Sequence, residues 1–308
     1  MIFGKFLDPK NDVAFKQIFG QEKNKDILIP FLNEMLTLKG SKTIQDIQFL
    51  KPNLDPDAAA KKQSVVDVLC QDHEGPQYIV EMQVAKTKGF EKRAQYYAAK
   101  TYSKQLFQGD EYTQLKEVIF LAITDFIMFK DKTSYKSDHV ILDQETHEKD
   151  LKDLAFTFVE LPKFNKTLNE LSTVTDRWLY FFKYAERTTE QDAEQVVGGH
   201  EEIGRAYEVL NRFSWTDDQI FIYEQEEKSE RDLKAMIAAG IDEGEARGRA
   251  EGRAEGLAKG LVKGRVEGEI AGKTKAKIEI ARKMIQSGMS IEAVVEITGL
   301  TRSEIENT

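Results

Sequence analysis

Residues 64–86 read SVVDVLCQDHEGPQYIVEMQVAK. Two short runs rich in Val, Ile and Leu flank the triplet His73-Glu74-Gly75, with glycine at the position that must turn left-handed. This is the pattern of an antiparallel hairpin closed by a three-residue loop. In that register Asp67 lies directly opposite Glu81, and the two carboxylates share a face. Opposed side chains have Cβ atoms about 5 Å apart, where like charges destabilise a sheet unless a cation lies between them. The neighbours Val66, Val68, Ile79 and Val80 are all apolar. A single acid in a strand usually faces solvent, but the pair, the tight turn and the helix that follows point to a site. Ligation by oxygen alone suits Mg²⁺ or Mn²⁺, which keep waters and accept phosphate oxygens. Gln83 falls two residues past Glu81, on the same face.

Outward from the hairpin, Asp8 to Gly20 and Asp26 to Leu38 carry helical periodicity, with Phe15, Ile18 and Phe19 on one face and Ile27, Phe31, Met35 and Leu38 on another. Ile44–Leu50, Ser64–Gln71 and Gln77–Val84 are short extended runs. Phe90 to Gln108 predicts a long helix and Glu117–Thr124 a strand, with Ala155–Leu161 a further candidate strand. The order helix, three strands, helix, strand implies an α/β sheet with helices on its faces. Beyond it, Asp176–Ala185 and Glu201–Phe213 read as amphipathic helices with aromatic inner faces.

From Gly240 to Gly272 a glycine recurs every fourth residue, nine in all. The residues between are good helix formers, with Glu243–Arg247 and Glu245–Arg249 at i,i+4 spacing. Each glycine costs an isolated helix about 1 kcal/mol relative to alanine, so a helix here needs an offset such as close packing against another backbone. The segment reads as a helical self-association arm or a charge-mixed linker. The last stretch, Lys277 to Thr308, has helix-turn-helix punctuation: Gly288 as a stop, Ser290 as a cap, and Thr301 with Glu304 as a capping box. Its final helix, TRSEIENT, offers only Arg302 as a basic residue. That favours a packing or partner-binding module ahead of a groove reader. The implied organisation is a core over 1–165, a helical extension over 166–235, the glycine arm or linker over 236–275 and a small helical module over 276–308.

Composition removes several alternatives. The 308 residues are 41% hydrophobic and 31% charged, ordinary for a folded protein. No run approaches twenty apolar residues and the start lacks signal-peptide layout, so no membrane role and a cytoplasmic location are expected. Cys70 has no partner and sits in an apolar run, as a buried small hydrophobe does. His73, His139, His147 and His200 are not spaced as zinc ligands. The net charge is −9. Residues 1–128, however, hold 17 basic and 17 acidic side chains, so the acidic surplus lies downstream of the hairpin region.

The motifs KNDVAFKQIFG, LNEML, SVVDVLCQDHEGPQYIVEMQ, FEKRAQYYAAKTYSKQL, VIFLAITDF and FVELPKF resemble the Rpn group, bacterial recombination-promoting nucleases often labelled transposases, within the PD-(D/E)XK nuclease superfamily. The resemblance spans roughly residues 5 to 165, and glycine-repeat tails are usual in such proteins. It implies an αβββαβ restriction-endonuclease-like core, an all-helical C-terminal region and metal-dependent DNA cleavage. Asp67 would be the motif aspartate and Glu81 the acid of the E-x-K element. Gln83 would stand at the lysine position, as E-x-Q commonly does in this group. Glutamine can orient a water but carries no charge. Arg93, Lys92 and Lys16 are candidates to supply that charge or grip a phosphate, and Asp12 is a candidate further carboxylate. Tyr96 and Tyr97 read as packing residues, one of them at the cleft, and Glu160–Lys163 as a local salt bridge. The expected function is a Mg²⁺- or Mn²⁺-dependent DNA endonuclease that self-associates through the glycine arm. Its rivals are a non-catalytic DNA-associated oligomeric scaffold and a toxin-like or phage-defence nuclease restrained by its tail.

Overall fold

Asn11 starts the first helix. Its side chain accepts from the N–H groups of Val13 and Ala14, so α1 runs Asp12–Phe19 in the computed structural model, which describes residues 4–54 and 65–306. The expected start at Asp8 is displaced because Asp8 precedes Pro9, which disfavours helical backbone there, and Asn11 is a strong cap. Met1–Phe3, Ser64 at the head of one expected strand, and Asn307–Thr308 lie outside the described residues. The second helix, α2, spans Lys25–Met35 and buries Ile27, Leu28, Phe31 and Leu32.

Six strands follow: β1 (Ile47–Phe49), β2 (Val68–Asp72), β3 (Gln77–Gln83), β4 (Val118–Thr124), β5 (Lys136–Val140) and β6 (Leu154–Glu160). They form one mixed sheet in the order β1-β2-β3-β4-β6-β5. The β1/β2, β2/β3 and β5/β6 pairs are antiparallel, and β3/β4 and β4/β6 are parallel. Helix α3, Phe90–Ser103, makes the crossover between the parallel strands β3 and β4. It ends before the expected Gln108 because the Gln105 amide leaves the helix to pair with both main-chain groups of Lys116. Strand β5 was not foreseen. Its sequence, KSDHV, is polar and lies at the sheet edge, where no apolar alternation is needed.

Every residue of β4 is buried, as a central parallel strand covered on both faces must be. Alternation splits it between two cores. Ile119, Leu121 and Ile123 join Val68, Val80 and Met82 in a large cluster with α1, α2 and the helices after the sheet. Val118, Phe120 and Ala122 join Leu69 and Ile79 under Phe90, Ala94 and Ala98 of α3. Three further helices, α4 (Val174–Tyr184), α5 (Glu190–Val197) and α6 (Glu201–Val209), complete the first cluster with Trp178, Phe181, Phe182, Ile203 and Tyr207. Helix α5 was also unforeseen; it buries only Ala193 and Val196, too few to print a period.

The chain divides into two compact units, Met1–Lys234 and Ala235–Thr308. Helix α7 runs continuously over Asp217–Gln286, carrying the nine repeat glycines; nothing lies within 4 Å of where a side chain would begin at any of them. In the second unit, α8 (Ile291–Thr298) and α9 (Arg302–Glu306) pack with the end of α7 around Ala281, Val294, Leu300 and Ile305. The Ser290 hydroxyl accepts from the Ala293 N–H, and Glu304 accepts from both the N–H and the hydroxyl of Thr301. Among the described residues no helix is long and apolar enough to cross a membrane.

Candidate active site

The hairpin register pairs Val68 with Val80, Leu69 with Ile79 and Cys70 with Tyr78, and Gly75 takes φ +107° in the turn. Asp67 lies one residue beyond the ladder, yet its side chain reaches back across it. Asp67 Oδ2 accepts from the Met82 N–H at 2.8 Å, and the Asp67 N–H donates to Glu81 Oε1 at 3.3 Å. Glu81 sits on the α3 face of the sheet, in alternation with Ile79, and Asp67 stands beside it just before the start of β2. Glu81 is 2% exposed, and its cross-strand neighbour on β4 is the small Ala122.

Burial decides the electrostatics. It pushes the Asp67 carboxyl up to about 7, and Asp12 adds to the rise while the Met82 N–H and Lys16 oppose it. Glu81 is raised well above the usual carboxylate range by burial and then by the charge of Asp67. Two acids that each resist ionisation beside the other form a site that a cation would stabilise.

Helix α1 brings the nearest cation. Lys16 Nζ lies 2.7 Å from Asp12 Oδ2 and 3.9 Å from Asp67 Oδ1. Burial pulls its pKa down, but Asp12 and then the charges of Asp67 and Glu81 outweigh this and hold it above the ordinary value. The helix is held in place by rings: Phe19 stacks on Phe182 at 5.8 Å and meets Phe31 at 4.7 Å. Asn11 also donates to the Tyr223 carbonyl, and the Tyr223 hydroxyl accepts from the Asp8 N–H. Sequence reading did not reach Tyr223, which lies more than two hundred residues downstream. Only the cap pattern at Asn11 was visible locally.

Gln83 is spanned from both sides. Its Nε2 donates to Glu81 Oε2 at 3.1 Å, and its Oε1 accepts from the Arg93 guanidinium of α3. Arg93 in turn lies 4.8 Å over the Phe90 ring. Lys92 is one residue away but exposed, and among the described residues it forms no ion pair with either carboxylate. Tyr97 is packed and Tyr96 is half exposed. Glu160 and Lys163 form a buried pair 2.6 Å apart, and Glu160 also accepts the N–H groups of Met128 and Phe129. It is the local salt bridge expected from the sequence, and it also clamps the loop that follows β4. Burial raises the Cys70 thiol to about 12, so it is inert.

The two neighbouring side chains that could hold a cation are Asp67 and Glu81. Among the described residues no three His, Cys, Asp or Glu side chains gather with metal-ligand spacing. A two-carboxylate donor set fits a Mg²⁺-type ion that keeps waters and takes substrate oxygens for its other positions.

A family model described as PD-(D/E)XK nuclease family transposase matches residues 9–240, which is 232 of the 308. A second, described as Rpn/YhgA-like nuclease family, C-terminal HTH domain, matches residues 274–308. Searches among curated proteins and among solved structures found no match. With its six-stranded sheet, its flanking helices and the first match covering most of its length, the chain belongs to the PD-(D/E)XK nuclease family transposases and ends in an Rpn/YhgA-like HTH domain.

Proposed function

We propose that the protein is a metal-dependent DNA endonuclease whose reaction is centred on Asp67 and Glu81. The observation that carries this reading is the hydrogen bond from the Asp67 main-chain N–H to the buried Glu81 carboxylate, which sets side by side two acids that both resist ionisation. A Mg²⁺ or Mn²⁺ ion bound between them would polarise the scissile phosphate and lower the pKa of a bound water. Gln83 orients that water, its amide held rigid between Glu81 and Arg93. Lys16, directly beside Asp67, and Arg93, acting through Gln83, together supply the positive charge that the E-x-Q motif lacks. The C-terminal HTH domain gives the chain a second means of holding DNA.

Supercoiled plasmid incubated with full-length protein and Mg²⁺ should be nicked by wild type and left intact by Asp67→Ala at matched concentration. Equal behaviour of the two proteins rejects the enzyme in favour of a DNA-associated scaffold. We also infer self-association through α7. Its open glycine stripe and the exposed Leu257, Leu261, Val262 and Val266 support this.

A further inference from the structure

Beside the carboxylates, the first turns of α3 border a cavity of about 560 Å³ lined by Lys88, Lys92, Arg93, Tyr96 and Tyr97 together with Thr87, Gly89 and Phe90. Its volume lies within the range of small-ligand pockets. No carboxylate lines it, although the chain as a whole is acidic. Lys88 and Lys92 are exposed, and among the described residues neither has an acidic partner. Gly89, left-handed at φ +81°, gives the helix no side-chain cap; its carbonyl accepts from the Lys92 and Arg93 N–H groups, and no side chain caps the Phe90 and Glu91 N–H groups at the positive end of α3.

Two further features point to a ligand with both a phosphate and a ring. Tyr96 stands 51% exposed on α3 beside the packed Tyr97, their ring centroids 6.2 Å apart. Arg93 is tied by one end to Gln83, while its Nε is buried with no partner. An orphaned buried donor is costly, and a shift of the guanidinium toward the cavity it lines would let a phosphate oxygen satisfy it. Through Gln83 the same side chain links the cavity to Glu81, so whatever fills the cavity neighbours the carboxylate pair.

We propose that this cavity takes one unstacked nucleotide of DNA adjacent to the bond being cut, its base lying on Tyr96 and its phosphate held by Lys88, Lys92 and Arg93. A base stacked within a duplex cannot reach an aromatic face, so the preferred substrate has unpaired nucleotides at the cut site, as in single strands, flaps or bubbles. This rests on the nuclease reading for the identity of the substrate, but its test is independent of cleavage.

The probe is a single-stranded oligonucleotide carrying 2-aminopurine, titrated into full-length protein in EDTA with fluorescence and anisotropy read together. Wild type should quench the fluorophore by stacking. Tyr96→Phe should keep the quench, and Tyr96→Ala should abolish it and weaken binding roughly tenfold. Lys88→Ala and Lys92→Ala should each flatten the dependence of log affinity on log salt by about 0.7. Unchanged quench and affinity in Tyr96→Ala, or loss of the quench in Tyr96→Phe, overturns the proposal. The two readings separate cleanly. Plasmid nicking that depends on Asp67 without any Tyr96 effect keeps the nuclease and removes this subsite, whereas a Tyr96-dependent quench without nicking does the reverse.

Discussion

The main-chain N–H of Asp67 donates to Oε1 of Glu81, so the two acids are joined by more than proximity. One carboxylate accepts a backbone donor belonging to the other residue, while the Asp67 side chain accepts from Met82, the residue after Glu81. The hairpin therefore holds the Glu81 and Asp67 side chains in place through main-chain donors from the opposite strand.

That pair makes metal-free stability depend on pH. A carboxyl whose pKa is higher folded than unfolded binds more protons in the native state, so the penalty is absent below its ordinary value of 3.8 and complete above about 7. In EDTA the melting temperature should fall as pH rises through that window. Asp67→Asn should flatten much of the slope and raise the melting temperature at pH 8 by roughly 5 °C. Glu230, which burial also pushes up to about 7, leaves a residual slope. Mg²⁺ or Mn²⁺ at pH 8 should stabilise wild type and have little effect on Asp67→Asn. A wild-type melting curve that does not move with pH or metal argues against the pair.

The relay from Arg93 through Gln83 predicts a particular non-additivity. Arg93→Met should lower nicking by about 10- to 100-fold, as removal of partners behind metal ligands does elsewhere. Gln83→Lys puts charge directly at that position, so adding Arg93→Met to it should cost much less than in wild type. Equal losses in the two backgrounds, measured in a double-mutant cycle, would show that Arg93 does not act through Gln83.

Glu160 is fully buried and Lys163 supplies its charge partner. Lys163→Met leaves the carboxylate with only the Met128 and Phe129 N–H groups. Urea denaturation should show a loss of about 3–5 kcal/mol. The double variant Glu160→Gln with Lys163→Met should recover part of it, because no uncompensated charge remains.

Along α7, alanine at Gly256 and Gly260 should raise intrinsic helix stability by about 1 kcal/mol each. If a second copy packs its backbone against the glycine stripe, the same change lowers the oligomeric mass in light scattering despite the better helix. A mass identical to that of wild type removes the self-association reading.

The hairpin that carries the candidate site was legible because its parts are local. A three-residue turn ending in glycine determines a hairpin register, and strand alternation then puts Glu81 and Gln83 on one face, whereas Asp67 falls one residue past the paired strand and is brought to Glu81 by a main-chain hydrogen bond. The apolar run of β4 and the caps of the C-terminal module were readable for the same reason. Tertiary structure alone decided the rest. The polar strand β5 exists only because β6 offers it an edge. Lys16 meets Asp67 only because Phe19, Phe31 and Phe182 pack α1 against distant helices, and Asn11 finds its partner at Tyr223. Arg93 reaches Gln83 because the crossover lays α3 over that face of the sheet. Turn chemistry and side-chain period act over a few residues and are written in the sequence, whereas contacts across long chain separations depend on how whole faces bury one another.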